Sequence, residues 1–308
     1  MTVKRPIFAT AITLVAMAAV FLIAPHLYGN RSLLLSILTF VALAQGLNLL
    51  YGFTGYLPFG YVGFFGTGAY ATSLLVLHTQ IPVLVCVVLG GVATVLVGLV
   101  LGPLLRLSGP YFSIANLAAS QILFNIVSNQ DLASITGGPY GLKIDKVYNL
   151  PAAYLAMLAV ALIATALAAY LRFSRFGLGM RAVKQDETSA AMAGINVVRG
   201  RLIVWLLSAA IAGLAGGVYA WSLSVFYPDA VFSLQISVFA IVFALFGGVG
   251  TVIGPVVGAI VLDVLYNGVG ISTPQYFEFI YGALIVLLVL FLPNGVMSLL
   301  TRRGVRVI

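Results

Sequence analysis

Asp263, in "VLDVLYN", and Glu278, in "YFEFIYG", are acids inside apolar runs. A carboxylate in such a place can relay a proton or an ion. It can equally reach an interface or an internal partner. Asp186 and Glu187 stand together in "RFSRFGLGMRAVKQDETSAAMAGINVVRGR" (Arg172–Arg201), which also holds six of the fifteen basic residues. Chemistry beyond these groups is sparse. The single cysteine, Cys86, excludes an internal disulfide and any multi-cysteine metal site. His26 and His78 lie far apart without companion ligands, so no metal is expected. There is no His-Glu-x-x-His helix and no Gly-x-Ser-x-Gly elbow. No glycine immediately precedes a lysine, so the chain lacks the phosphate-binding loop that would hold ATP. These absences predict that the chain is not an enzyme and binds no cofactor itself.

The elements that carry these residues belong in a membrane. The chain is 62% hydrophobic and 7% charged, against about 25% charged for an average soluble domain. A span needs about 20 mostly apolar residues. Ten are predicted, roughly at 7–25, 33–50, 60–77, 82–105, 110–128, 152–171, 202–225, 234–248, 252–270 and 276–293. The first is read as an uncleaved span rather than a signal peptide, because its apolar run is long for that role. The fold class is therefore all-α and polytopic, a single domain over 1–308 with both termini in the cytoplasm.

Charge supports this layout. One side receives Lys4, Arg5, Arg106, Arg172, Arg175, Arg181, Lys184, Arg199, Arg201, Arg302, Arg303 and Arg306; the other receives Arg31, Lys143 and Lys146. Basic residues concentrate on cytoplasmic loops. Orientation thus explains the net charge of +8 without nucleic acid. Residues 128–150 form the outer loop, rich in turn residues at Gly137, Gly138, Pro139 and Gly141. Residues 172–201 form the inner one.

One segment resists a smooth helix. "GFTGYLPFGYVGFFGTGAY" (Gly52–Tyr70) carries six glycines and Pro58 among aromatics. A break or re-entrant turn is predicted near 52–60. Freed backbone groups at membrane depth need a protein or water partner, and broken helices recur at substrate sites. Phe53, Thr54, Gly55, Tyr56, Phe59 and Tyr61 are the candidate pathway residues; a glycine-lined packing corner is the alternative. "GGVGTVIGP" from Gly247 predicts a second break. Small residues four apart, at Ala209, Gly213 and Gly217 and at Gly98 and Gly102, predict close helix packing.

Four stretches resemble LivM-type permeases of branched-chain amino acid ABC importers: Ala42–Leu75, Ser174–Ala220, Gly247–Ala259 and Phe291–Leu300. The resemblance covers nearly the whole chain. It implies a membrane subunit that forms a pathway for branched-chain or other hydrophobic amino acids in the bacterial inner membrane. It implies a second homologous permease, two cytoplasmic ATPases that bind the ATP, and a periplasmic binding protein. Permeases for urea or short amides in the same superfamily are the alternative, and a stand-alone carrier or channel is a different class. Family members commonly carry glutamine and serine near Tyr56 and Pro58, and histidine near Tyr61, so this pathway would be more aromatic. From Glu187, the order Glu-Thr-Ser-Ala-Ala-Met-Ala-Gly resembles the coupling motif of ABC permeases. It implies coupling roles for Arg181, Asp186, Glu187, Ala190, Ala191 and Gly194. An ordinary basic loop facing anionic membrane lipid is the alternative for that segment.

Overall fold

A computed structural model describes residues 4–272 and, beyond them, 279, 282–283, 286 and 295–297. The helices in order are α1 (Lys4–Leu27), α2 (Arg31–Leu47), α3 (Val62–His78), α4 (Val83–Val100), α5 (Pro110–Ser128), α6 (Ala133–Thr136) and α7 (Leu150–Phe173). They continue as α8 (Arg175–Gln185), α9 (Glu187–Met192), α10 (Val197–Leu223), α11 (Pro228–Phe232), α12 (Leu234–Gly247) and α13 (Gly254–Ser272). A two-residue ribbon pairs β1 (Leu142–Lys143) with β2 (Val225–Phe226). Among the described residues, seven helical segments are long and apolar enough to cross a membrane, and α3 and α13 are shorter apolar helices. The protein is an all-α polytopic membrane protein.

Each of the first nine expected spans coincides with a helix, with two main boundary corrections. The fourth span ends at Val100 rather than 105, because a tight 3-10 turn at Gly102–Arg106 follows, led by Pro103. The seventh begins at Val197, where Asn196 caps the first turn by accepting from the Arg199 N–H at 3.0 Å. The inner segment 172–201 is accordingly not a loop but the end of α7, then α8, α9 and the start of α10. Most of the tenth span, Glu278 and most of Phe291–Leu300 lie outside the described residues.

Polar caps punctuate the apolar helices. Asn30, Asn149 and Ser174 accept from the N–H groups of Leu33, Ala152 and Gly177 at 3.1, 3.1 and 3.0 Å. Each satisfies an amide that a helix start leaves unpaired.

Helices α2 and α10 occupy the centre. α10 packs on α3, α4 and α7, while α2 packs on α7, α12 and α13. The small-residue series does what the spacing predicts. A Cβ at Gly213 would meet the Thr94 side chain, one at Gly216 would meet the Phe65 carbonyl, and one at Gly68 would meet the Gly213 backbone. Helix backbones come this close only without side chains between them. Asp263 is buried, and the Ser36 hydroxyl (3.3 Å) and the Asn267 amide (3.3 Å) donate to it. Internal partners, the second of the two readings for this acid, are what it has.

The ends of the bundle differ. The ribbon, the Ile144 N–H donating to the Ser224 carbonyl (2.6 Å) and the Trp221 indole donating to the Val147 carbonyl (2.7 Å) tie residues 142–147 to the finish of α10. The start of α10 carries Arg199 and Arg201. Its 27 residues place the two ends about 40 Å apart. Arg106 shares a cleft with Arg201, and Lys184 touches Gly52, so these basic residues gather at one end. α1 runs antiparallel to α7, through Tyr154 donating to the Phe21 carbonyl (2.5 Å) and Thr165 beside Met17 (3.9 Å). The start of α1 therefore also falls at the basic end.

Candidate functional site

The basic end is built around two interruptions of helix. After α2 the chain widens into a π turn at Asn48–Gly52, then leaves helix over residues 55–61. Gly55 has φ +81°, which a glycine adopts without strain. The second interruption separates α12 from α13, with Gly248 and Gly250 also at positive φ. Both predicted breaks are therefore present, and they dock on each other. Asn48 accepts from the Gly250 N–H (2.7 Å) and donates to the Thr251 carbonyl (2.8 Å). Gln45 donates to the Val252 carbonyl at 2.6 Å.

Backbone groups freed by the first break find side-chain partners. Asn116 accepts from the Gly60 N–H (2.7 Å), Ser237 accepts from the Val62 N–H (2.8 Å), and Ser113 donates to the Leu57 carbonyl (2.7 Å). Lys184 donates to the Gly52 carbonyl at 3.2 Å, and its ammonium lies 5.1 Å from the Tyr51 ring centre. Burial lowers the Lys184 ammonium from its ordinary pKa. Arg172 donates to the Gly250 carbonyl, and so clamps the second break.

The predicted pathway residues separate into two groups. Phe53, Thr54 and Tyr61 are buried in the chain's own core, and Tyr56, largely buried, edges the cleft of about 510 Å³ that Arg106, Glu187 and Arg201 share. Thr54 donates to the Leu50 carbonyl (2.7 Å), and Tyr61 donates to the Ser208 carbonyl (3.0 Å). Gly55 and Phe59 instead line an open cavity of about 430 Å³ at the foot of α5, with Pro110, Ser113 and Ile114.

The coupling candidates assemble into one elbow. Asp186 caps α9, accepting from the N–H groups of Thr188 (3.1 Å) and Ser189 (3.3 Å) and from the Ser189 hydroxyl. The Ser189 hydroxyl, followed by the backbone donors, holds its carboxyl below the usual aspartate range. Gly194, with φ +85°, turns the chain out of α9, as its position predicts. Glu187 pairs with Arg201 through two bonds, at 2.9 and 2.6 Å. Arg201 lies 4.5 Å over the Tyr56 ring. From there edge-to-face contacts run inward from Tyr56 to Phe112 (4.9 Å), from Phe112 to Trp205 (5.6 Å) and from Trp205 to Phe64 (4.8 Å). Arg181 donates to the Arg172 carbonyl at 3.3 Å, which joins α8 to the end of α7. The alanines at 190, 191 and 193 do not all face outward. Ala190 is buried within the chain, while Ala191, Met192 and Ala193 face outward.

Residue reading overlooked Gln45, Asn48, Asn116 and Ser237, and gave Arg201 no role beyond its charge. The amides at 45 and 48 are the visible signal: two polar residues one helical turn apart within an apolar span, immediately before the glycines.

A many-spanned helical bundle with hydrogen-bonded breaks at its basic end, and a short capped helix beneath them, defines a membrane protein of the permease class. Residues 30–289 match the family described as "Branched-chain amino acid transport system / permease component", and the chain belongs to that family. It is similar to the high-affinity branched-chain amino acid transport system permease protein LivM of Salmonella typhimurium, 27% identical over 97% of this chain and 76% of that protein. It is similar to the permease protein LivH of the same type of system in Escherichia coli, 25% identical over 84% of this chain and 91% of that protein. The ribose import permease protein RbsC of Escherichia coli is 30% identical over 40% of each chain. No solved structure matches.

Proposed function

We propose that the chain is one of two permease subunits of an ABC importer in the bacterial inner membrane. Its cargo is branched-chain and similar hydrophobic amino acids. A periplasmic binding protein delivers the cargo, and two cytoplasmic ATPases supply the energy. The observation that carries this reading is the family match across residues 30–289. Ten spans with both termini in the cytoplasm fit it. The start of α1 lies at the basic end, and Gly295 lies against Gly248 of the second break.

Energy enters at α9. Its outward residues Ala191 and Met192, with Ala193 just beyond its end, offer a small, partly apolar surface to an ATPase groove. A push on α9 reaches Arg201 through Glu187, and Arg201 passes it to Tyr56 and the aromatic series. Arg201 is almost fully buried, so loss of Glu187 would leave its charge without a partner, which is strongly destabilising. The pair therefore holds α9 and the first break together as one body.

The test is reconstitution. The four-component complex in liposomes should take up leucine only with ATP on the cytoplasmic side and binding protein outside. Leucine uptake by the chain alone under a proton gradient would overturn the reading in favour of a stand-alone carrier.

A further inference from the structure

Two neighbouring helices present very different faces to their surroundings. Along α4 every exposed residue is leucine or valine, from Leu84 and Val88 to Leu96 and Val100. That face suits lipid chains. The exposed face of α5 carries the amides Gln121 and Asn125 among Tyr111, Ile114, Ala118, Ile122 and Ile126. Steps of three and four residues put these on one side of the helix. Neither exposed amide side chain makes a hydrogen bond among the described residues. The other side of α5 is also polar, but there Ser113, Asn116 and Ser120 all have partners. An amide without a partner in hydrocarbon is costly. The Gln121 and Asn125 side must therefore meet water or another polar surface.

The lower end of this face supplies a second, independent observation. Ile114 belongs both to the exposed face and to the cavity of about 430 Å³ that Gly55 and Phe59 line. The amide-bearing face of α5 thus leads, through Ile114, to the opening at the first break.

We propose that the α5 face bearing Asn125, Gln121, Ala118 and Ile114 is this chain's wall of the translocation pathway, which passes inward beside Phe59. The proposal rests on the permease reading above and names the surface the cargo touches. The chemistry fits a zwitterion with an apolar side chain. An amide donates to a carboxylate and accepts from an ammonium, while Ala118 and Ile114 offer apolar contact. No fixed charge lies on this face, so no ion pair would hold a zwitterion in place.

The experiment uses the assembled four-component complex with Cys86→Ala. Gln121→Cys is compared with Val92→Cys on the exposed face of α4. A small, charged, water-soluble thiol reagent is added. Cysteine at 121 should react at least ten-fold faster than cysteine at 92, and saturating leucine should slow it several-fold. Equal, slow reaction at both positions would overturn the proposal, because the α5 face would then be dry. Efficient disulfide formation between position 121 and the second permease subunit, without reagent access, would overturn it too by making the face a subunit seam. Fast reaction that leucine leaves unchanged would uphold a wet α5 face and instead defeat the branched-chain cargo assigned above. Gln121→Asn provides a check by function. It should retain uptake where Gln121→Leu loses most of it, whereas a lipid-facing position would accept leucine at least as well.

Discussion

The two ends of the bundle are held together by different forces. At the basic end, side chains bind backbone groups that helix breaks set free: Asn48 to Gly250, Lys184 to Gly52, Arg172 to Gly250 and Asn116 to Gly60. At the opposite end the ties are mostly backbone to backbone, through the β1–β2 ribbon and the Ile144–Ser224 bond, with the Trp221 indole on the Val147 carbonyl beside them. Glycines at positive φ shape the turns between them, at 137, 138 and 141. Contacts between side chain and backbone can be exchanged as an elbow moves, whereas a ribbon keeps its register. The basic end is thus suited to changing shape, and the opposite end to keeping a fixed surface.

Filling the first break should have the largest effect. A Cβ at Gly60 would overlap the Asn116 carbonyl and the backbone beyond it, neither of which can step aside. Overpacking of this kind costs about 3 kcal/mol. Gly60→Val should lower the melting temperature of the purified complex clearly and abolish uptake. A variant that melts normally and transports would mean that α5 does not close against the break.

Next comes the elbow itself. Ala191→Arg puts a long charged side chain on the outward surface of α9. Uptake and transport-stimulated ATP hydrolysis should fall at least ten-fold, with the amount of protein in the membrane unchanged. Ala190→Arg should instead disturb the chain's own core and reduce that amount. Identical behaviour of the two variants would erase the distinction between the inward and outward sides of α9.

The elbow was largely legible in the sequence, and the wall of the pathway was not. Asp186, Glu187 and Gly194 mark a helix start and stop through local rules of capping and positive φ, and α9 lies between them. The break near 52–60 was legible for the same reason, since Gly55 and Pro58 act on the backbone nearby. What fills a break is a long-range matter. Asn116 and Ser237 stand 56 and 175 residues from the amides they satisfy. Aromatic residues at 53, 56 and 61 suggested a lined route, yet burial against Phe112, Trp205 and Ser208 is a property of the packed bundle. The amides of α5 were visible as letters, but only the fold shows that they point away from the core.

A smaller effect should separate the buried aromatics from the exposed one. Tyr56 stacks on Arg201, a contact worth about 0.5–2 kcal/mol. Tyr56→Ala should weaken coupling, so that ATP hydrolysis responds less to cargo while the relative uptake of valine and leucine is unchanged. Phe59, at the open cavity, should show the reverse: Phe59→Ala should shift uptake toward larger cargo, with coupling intact. Measuring valine, leucine and phenylalanine uptake beside ATP hydrolysis in both variants decides the matter. Equal cargo profiles in the two variants would remove Phe59 from the route.

The smallest effect on stability belongs to the outer end. Lys143 pairs with Asp145 at 3.2 Å, with both side chains more than half exposed. Exposed pairs contribute about 0–1 kcal/mol, and the ribbon beneath is held by backbone. Lys143→Glu should therefore leave the melting temperature almost unchanged. If this surface receives a binding protein, the substitution should instead alter recognition. Rim charges act mainly on association rate, and salt screens them. The concentration of binding protein needed for half-maximal uptake should rise a few-fold at low ionic strength and return toward the unaltered value in high salt. No change at any salt concentration would leave residues 128–150 without a docking role. A large drop in melting temperature would show that charge, and not the ribbon, holds this end, and the contrast between the two ends would fail.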